Sequence, residues 1–392
     1  MHLVTLQLDR FRNFTSDTVS FSPATNLIFG LNGQGKTNLL EAIYILGHGK
    51  SYRTSSVKEC IRFGHEACSV AGAVRHAGGE RRMQVTLSPF EKKLILFGRD
   101  VSLEEFLGQF HVVAFTQSHL AVVRGSPGDR RAFLDRGMVT LYPGHLRALM
   151  NYQRALRQRN RLLADTAAGS KTSTGTELVE SWEQSLAREG ASVVWNRLRY
   201  VEELRREIPK GVFSNESVSL HYVSTVKGDF DSAETVETNF VQALKQRRAA
   251  DNRLGFTSIG PHRDELKITV GGRAAGAFGS AGQQRSALLS LYFAQMEIHK
   301  KVHGFYPVFL VDDVEAELDD ERLRIFLGYL GERTQTFLTT AKRAVLESFS
   351  SVEGRFIVDS GRIFKASEDC WETARPGSLD RPRSISPKIS FN

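Results

Sequence analysis

The stretch Gly30-Leu31-Asn32-Gly33-Gln34-Gly35-Lys36-Thr37 restricts the fold more than any other part of the chain. Its G-x-x-x-x-G-K-[ST] spacing suits one arrangement. A buried strand leads into a glycine-rich turn whose backbone N–H groups curl round a phosphate, and a helix follows with its N-terminus facing the same anion. The flanks agree: Asn26-Leu27-Ile28-Phe29 reads as the strand, and Leu39, Leu40, Ala42, Ile43 and Leu46 recur at helical spacing until Gly47. In that setting Lys36 reaches the β and γ oxygens of a nucleoside triphosphate, and the Thr37 hydroxyl can ligate Mg²⁺. An incidental glycine-rich turn would leave the matching flanks unexplained. ATP and Mg²⁺ are therefore the expected cofactors.

A loop of this kind needs a metal-holding carboxylate at the end of a buried strand, and Val308-Phe309-Leu310-Val311-Asp312-Asp313 offers one. Asp312 is expected to bind Mg²⁺ directly or through water, and Asp313 to orient or deprotonate the attacking water, with Lys36 as its catalytic companion. Two acids after a strand also make an ordinary solvated turn, so the reading depends on the loop. Further on, Phe278-Gly279-Ser280-Ala281-Gly282-Gln283-Gln284-Arg285 opens a second helix with a hydroxyl and free N–H donors. Standing alone, Ser280 would be no more than the N-cap of a core helix.

The order of elements is α/β, interrupted. Strand patterns at Val4 to Leu8, Val19 to Phe21, Met83 to Leu87, Leu94 to Phe97 and His111 to Phe115 precede a helical region, with Gly98-Arg99-Asp100 as a turn. Helical runs over 142–165 and 177–207 are joined by a polar loop from Ala167 to Gly175, and neither keeps a heptad for long. After Gly255 the alternation resumes, with strands at Leu266 to Val270, Val308 to Val311 and Thr336 to Thr339 and helices over Gln283 to Val302 and Asp320 to Leu330. The expected division is 1–128 and 255–365 as halves of one head, 129–254 as an inserted helical lobe, and 366–392 as a disordered Ser-, Pro- and Arg-rich tail.

With 41% apolar and 24% charged residues among 392, the chain reads as an ordinary folded protein. Lys and Arg outnumber Asp and Glu by 52 to 44, a formal charge of +8, which favours an anionic partner such as nucleic acid. Cys60, Cys68 and Cys370 lack the pairing of a zinc or redox motif. No cleavable leader or membrane-length apolar run is visible. Reduced thiols in the cytoplasm, with no membrane partner, are the expectation.

Taken together, Gly-x-Asn-Gly-x-Gly-Lys-Thr, Ser-x-Gly-Gln-Gln-Arg and hydrophobic-Asp-Asp followed by Glu317-Leu318-Asp319 resemble the ATP-binding-cassette heads of the SMC class. Phe11-Arg12-Asn13-Phe14, Asn38-Leu39-Leu40-Glu41-Ala42, Ser51-Tyr52-Arg53-Thr54, Gly125-Ser126-Pro127, Asp129-Arg130-Arg131 and Gly260-Pro261-His262-Arg263-Asp264 narrow the resemblance to the RecF family of bacterial recombination mediators. The resemblance runs from about residue 1 to 365. It implies a P-loop ATPase head of mixed sheet with an inserted, mainly helical lobe. It also implies a homodimer that sandwiches ATP, so that Ser280, Gly282 and Gln283 meet the nucleotide bound by the partner. Arg12, Asn38 and Gln117 join the nucleotide set, although family members more often carry a Pro and acidic residues near Gln117. The Asp319 segment would lie across the interface, and Arg53 near nucleotide or DNA. The implied activity is weak, DNA-dependent ATP hydrolysis that switches a clamp on double- and single-stranded DNA at gap junctions, with RecR and RecO as partners in loading RecA.

The residues alone offer a candidate DNA surface. Arg147, Arg154 and Arg161 recur every seven residues with Arg157 between, Arg130, Arg131 and Arg136 lie upstream, and Lys245, Arg247, Arg248 and Arg253 cluster later. Each could instead sit on a solvated face paired with Glu180, Glu189 or similar acids. His262 and Arg263 could link lobe to head or help close the nucleotide site. Two other classes remain open: an SMC-like structural tether, which needs longer heptad arms, and a transporter's nucleotide-binding subunit. The latter needs a switch histidine where Ala341 and Lys342 stand after Thr339-Thr340.

Overall fold

The computed structural model describes residues 1–142, 144–168, 175–209, 217–313, 320–331, 333–342, 352 and 354–366. The apolar run before the glycine-rich loop becomes β3 (Thr25–Phe29). Beside it lie β8 (Val112–Phe115), β12 (Val308–Val311), β13 (Thr336–Thr340), β14 (Gly354–Asp359) and β15 (Arg362–Lys365). Among the described residues they form a six-stranded sheet ordered β15-β14-β3-β13-β12-β8. All pairs are parallel except β14 with β15. Strands covered on both faces need apolar residues at successive positions, which is why 308–311 and 336–340 read as unbroken buried runs.

Alternation along these strands feeds two cores. Leu27, Phe29, Phe115, Phe309, Val311, Leu338 and Ile357 point into one. Ile28, Val112, Ala114, Val308, Leu310, Phe337 and Phe356 point into the other, which also contains α1 (Lys36–His48). Buried from Leu39 to Gly47, α1 lies between the parallel sheet and a second, antiparallel one. That sheet is ordered β2-β1-β4-β5-β6-β7, from β1 (His2–Asp9), β2 (Ser16–Ser20), β4 (Cys68–His76), β5 (Gly79–Leu87), β6 (Lys92–Leu96) and β7 (Arg99–Asp100). The sequence did not single out β4. It also carried β6 through Phe97, which instead turns at φ 49° ahead of Gly98. The short α2 (Leu103–Phe106), with a Ser102–Glu105 capping box, closes this end.

The opposite face of the parallel sheet is covered by α9 (Ala281–His303), joined by α3 (Ala121–Arg124), α4 (Pro127–Val139), α8 (Ala275–Phe278) and α10 (Asp320–Leu330). Buried Leu288, Leu289, Leu291, Phe293 and Met296 on α9 fill the core there. Three further helices form the inserted lobe: α5 (His145–Ala167), α6 (Gly175–Glu207) and α7 (Ala233–Leu254). Tyr152, Leu186, Phe240 and Leu244 give the lobe a core of its own. The region is not purely helical, because β9 (Val218–Val223) pairs with β10 (Glu265–Val270), and β10 with β11 (Arg273–Ala274). Of the loop expected from Ala167 to Gly175, Ala167 ends α5 and Gly175 opens α6 instead; residues 169–174, the Glu317-Leu318-Asp319 segment and the tail from residue 367 lie outside the described residues. Among those described, no helix is long and apolar enough to cross a membrane.

Candidate functional site

The loop between β3 and α1 is shaped by what its glycines allow. Gly35, the N-cap of α1, sits at φ 121°, and a Cβ there would run into the Asn13 side-chain amide at 2.7 Å. At Gly30 a Cβ would meet the Val358 carbonyl oxygen at 2.4 Å. Lys36 is buried, and its Nζ donates to the carbonyls of Gly30 (2.8 Å) and Leu31 (3.2 Å), which holds the ammonium inside the loop. Two outside elements brace the turn. Asn13 Nδ2 donates to the Gln34 carbonyl at 2.7 Å, and Ser360 N donates to Gln34 Oε1 at 2.6 Å. Leu31, Asn32 and Gly33 form the exposed rim.

Parallel pairing of β12 with β13, and β13 with β3, brings the acidic pair to the loop. Thr37 Oγ1 donates to Asp312 Oδ1 at 3.0 Å, and Thr339 Oγ1 donates to the same oxygen at 2.8 Å. Asp313 N in turn donates to Thr339 Oγ1 at 2.7 Å, and Asp313 has a positive φ of 46°. Burial pushes the Asp312 carboxyl above its usual range against the two hydroxyl hydrogen bonds, and the neighbouring Asp313 adds to the rise. A hydroxyl and a carboxyl oxygen held together, with a second acid next in sequence, suit a hard, oxygen-seeking divalent cation such as Mg²⁺, whose charge would stabilise the ionised Asp312.

Glu41, on α1 one turn past Thr37, was quoted in the sequence only as part of a motif, yet it is the hub of the surrounding polar network. Its carboxylate is fully buried and accepts from Arg12 Nε (2.9 Å) and Nη2 (2.7 Å), Arg53 Nη1 (3.1 Å) and Ser51 Oγ (2.5 Å). Arg53 also donates to Asn38 Oδ1 at 2.7 Å, and Asn38 Nδ2 to Asn13 Oδ1 at 2.8 Å. Arg12, Asn38 and Arg53 are thus brought together beside the loop. An acid inside an otherwise apolar helical run was the signal that could have marked Glu41.

The signature segment, Ser280-Ala281-Gly282-Gln283, lies elsewhere. Ser280 caps α9, accepting from Gln283 N at 3.2 Å while its own N–H donates to Gln283 Oε1 at 2.6 Å. Ser280 is exposed, Gly282 and Gln283 are partly so, and Phe278 just before them is 74% exposed. Since α9 packs into one core and α1 into the other, the sheet stands between signature helix and loop helix. Gln117, exposed, opens the turn after β8, next to the strand that carries Asp312.

The candidate DNA-binding arginines separate by environment. Arg154, Arg157 and Arg161 are exposed on α5, opposite the face that buries Ala148, Tyr152, Ala155 and Leu163. Arg147 pairs with Glu104 at 2.5 Å on the surface. Arg130 is drawn inward as a bidentate partner of Glu265 (2.6 and 2.7 Å), and Arg131 donates to the Asp264 carbonyl at 2.8 Å. Arg248 of the later cluster is held by Glu180 (2.8 Å) and Glu183 (2.6 Å). The Gly260–Asp264 segment links lobe to head: His262 Nδ1 meets the Tyr152 hydroxyl at 2.5 Å, and buried Asp264 accepts from Tyr222, Ser224 and Thr225.

The RecF/RecN/SMC N-terminal domain family model matches residues 2–363. The DNA replication and repair protein RecF of Exiguobacterium sp. is 38% identical over 349 residues, 87% of this chain and 92% of that protein. Its namesake from Streptococcus thermophilus is 33% identical over 94% of this chain and 100% of its own length. The chain belongs to the RecF family. Its closeness extends to three dimensions: the structure described as the recombination mediator protein RecF-ATPrS in the RecFOR pathway superposes with a TM-score of 0.85 at 31% identity, covering 93% of this chain and 98% of that one. An Smc head domain from Pyrococcus furiosus, at 17% identity and a TM-score of 0.52, shares the fold. The RecF-family chain therefore has the expected ATP-binding-cassette head architecture, with mixed strands and a helical lobe.

Proposed function

We propose that this RecF-family protein acts in DNA replication and recombinational repair as an ATP-dependent DNA clamp built from two copies of the chain. One observation carries the reading: Lys36, Thr37 and Asp312 converge at one side of the sheet, while Ser280 sits exposed and Gly282 partly exposed at the start of a helix packed against the other. Each head then holds half a nucleotide site and offers the missing half to a partner.

In this reading the Gly30–Thr37 backbone and the α1 N-terminus bind the phosphates, and Lys36 turns from the loop carbonyls to the β and γ oxygens. Thr37 and Asp312 would hold Mg²⁺, which supplies charge neutralisation when bound. Asp313 orients or deprotonates the attacking water, Gln117 reports on the γ-phosphate from the next strand, and Ser280, Gly282 and Gln283 complete the other copy's site. Arg12, Asn38 and Arg53 couple the loop helix to its surroundings through Glu41. Slow hydrolysis releases the clamp, a switch by differential affinity rather than a source of product.

The exposed Arg154, Arg157 and Arg161 stripe supports sequence-independent contact with DNA phosphates. Gap junctions between duplex and single strand, RecR and RecO as partners, and work in the cytoplasm come with the family reading. Anisotropy with a gapped duplex tests it. ATP should raise the affinity of the wild-type protein by at least about tenfold, or ~1.4 kcal/mol, over ADP. Lys36→Arg should lose that response, and an ATP response of equal size in the variant would contradict the proposal.

A further inference from the structure

Three imidazoles far from the loop face one another. His111 immediately precedes β8, and His299 and His303 are one turn apart near the end of α9. Their rings form a near-equilateral triangle, with centroids 4.5 Å (His111–His299), 4.7 Å (His111–His303) and 4.6 Å (His299–His303) apart. One nitrogen from each lies within 4.8 Å of the others.

The outer nitrogens decide what the inner ones can do. His111 Nε2 meets the Gly108 carbonyl at 2.8 Å, His299 Nδ1 the Phe305 carbonyl at 2.8 Å, and His303 Nε2 the Thr140 carbonyl at 2.9 Å. A carbonyl oxygen only accepts, so each of these nitrogens carries the ring proton. In the neutral rings the remaining nitrogens, His111 Nδ1, His299 Nε2 and His303 Nδ1, are therefore bare lone pairs. Two of them, His111 Nδ1 and His299 Nε2, stand 2.5 Å apart. Bare lone pairs at that separation repel, and either a proton shared by the two rings or, with the rings turned slightly apart, a cation bound to both nitrogens relieves the repulsion.

We propose that His111, His299 and His303 form a zinc-class divalent metal site, structural in role, that pins the end of α9 to the start of β8. Three imidazoles, each with its outer N–H fixed by a backbone carbonyl, are the ligand set and outer shell such an ion takes. At metal–nitrogen distances of about 2.0–2.1 Å, tetrahedral ligands stand roughly 3.3 Å apart, a value between the 2.5 Å of the tightest pair and the 4.8 Å limit of the cluster. Small ring rotations would seat the ion. The His-x-x-x-His spacing on one helix face is itself a zinc-ligand spacing.

Arg81 and the Met1 ammonium place positive charge near His111 and His299, which a bound cation would have to tolerate. The C-terminal end of α9 contributes partial negative charge. The nearby Lys300 and Lys301 turn away, to the Gly304 carbonyl at 2.5 Å and to Glu207. A cavity of about 60 Å³, lined by His111, His299 and Thr140 and also by Arg136, borders two of the three rings.

Untagged full-length protein, stripped with chelator and titrated with Zn²⁺ against a chromophoric competitor, tests the site. About one zinc per chain is expected, with a raised melting temperature and, for Co²⁺, the visible absorption of a tetrahedral site. His303→Ala and the milder His303→Gln should weaken zinc binding by about 100-fold or more, at or above the loss from removing an outer-shell partner, and abolish the thermal shift. The exposed His221→Ala should change neither. Absence of stoichiometric zinc at micromolar metal would overturn the proposal. So would binding unchanged in both His303 variants, or binding lost only when the cysteines are alkylated.

Discussion

Asp312 and Asp313 are neighbours in sequence with different contacts, and the difference lies in their backbone. Asp312 continues the strand direction and meets Thr37 and Thr339, whereas Asp313 turns at a positive φ with its N–H on Thr339. The strand pattern and the acids were legible in the sequence. Thr339 as the shared partner was not, because its contact depends on the pairing of β12 with β13. Asp313→Asn should keep ATP binding while lowering single-turnover hydrolysis by about 10²-fold or more, the scale of a positioned base. Phosphate release at the wild-type rate would move that role elsewhere. Glu41 shows the same limit, since an acid on an apolar helix announces burial but not which arginines from residues 12 and 53 neutralise it.

At the scale of elements, α5 carries two kinds of arginine on opposite faces. Arg159 is fully buried, donating to Glu183 (3.0 Å), Asp251 (2.8 Å) and Thr257 (2.8 Å), and so joins α5, α6 and α7. Arg154, Arg157 and Arg161 occupy the opposite face. The seven-residue recurrence found the exposed stripe, but only the packing shows that Arg159, off that stripe, is buried and paired. Replacing Arg159 by Ala should destabilise the lobe by about 3–5 kcal/mol in denaturant titrations, because buried carboxylates are left unpaired. Reversing the charge at Arg154, Arg157 and Arg161 should leave stability within about 0.5 kcal/mol. It should also lower the slope of log affinity for duplex DNA against log salt by about 0.9 for each lost phosphate contact. An unchanged slope would return that face to solvent.

On the scale of the whole molecule, the parallel sheet both builds the nucleotide loop and separates it from the signature helix. Most of the fold could be read from the sequence, because continuous apolar runs and 3.6-residue periodicity survive any tertiary setting. The strand pairing of β9 with β10 could not, since it joins segments on either side of α7. Nor could the histidine triangle, whose members come from residues 111, 299 and 303. That loop and signature serve different copies is the central claim, and complementation measures it. Lys36→Arg and Ser280→Arg chains, each sedimented alone with ATP, should remain monomeric. Mixed in equal amounts they should form a heterodimer, since the Ser280→Arg copy supplies an intact loop and the Lys36→Arg copy an intact signature. Normal dimers of Ser280→Arg alone, or no dimer in either the mixture or the wild type, would contradict the account.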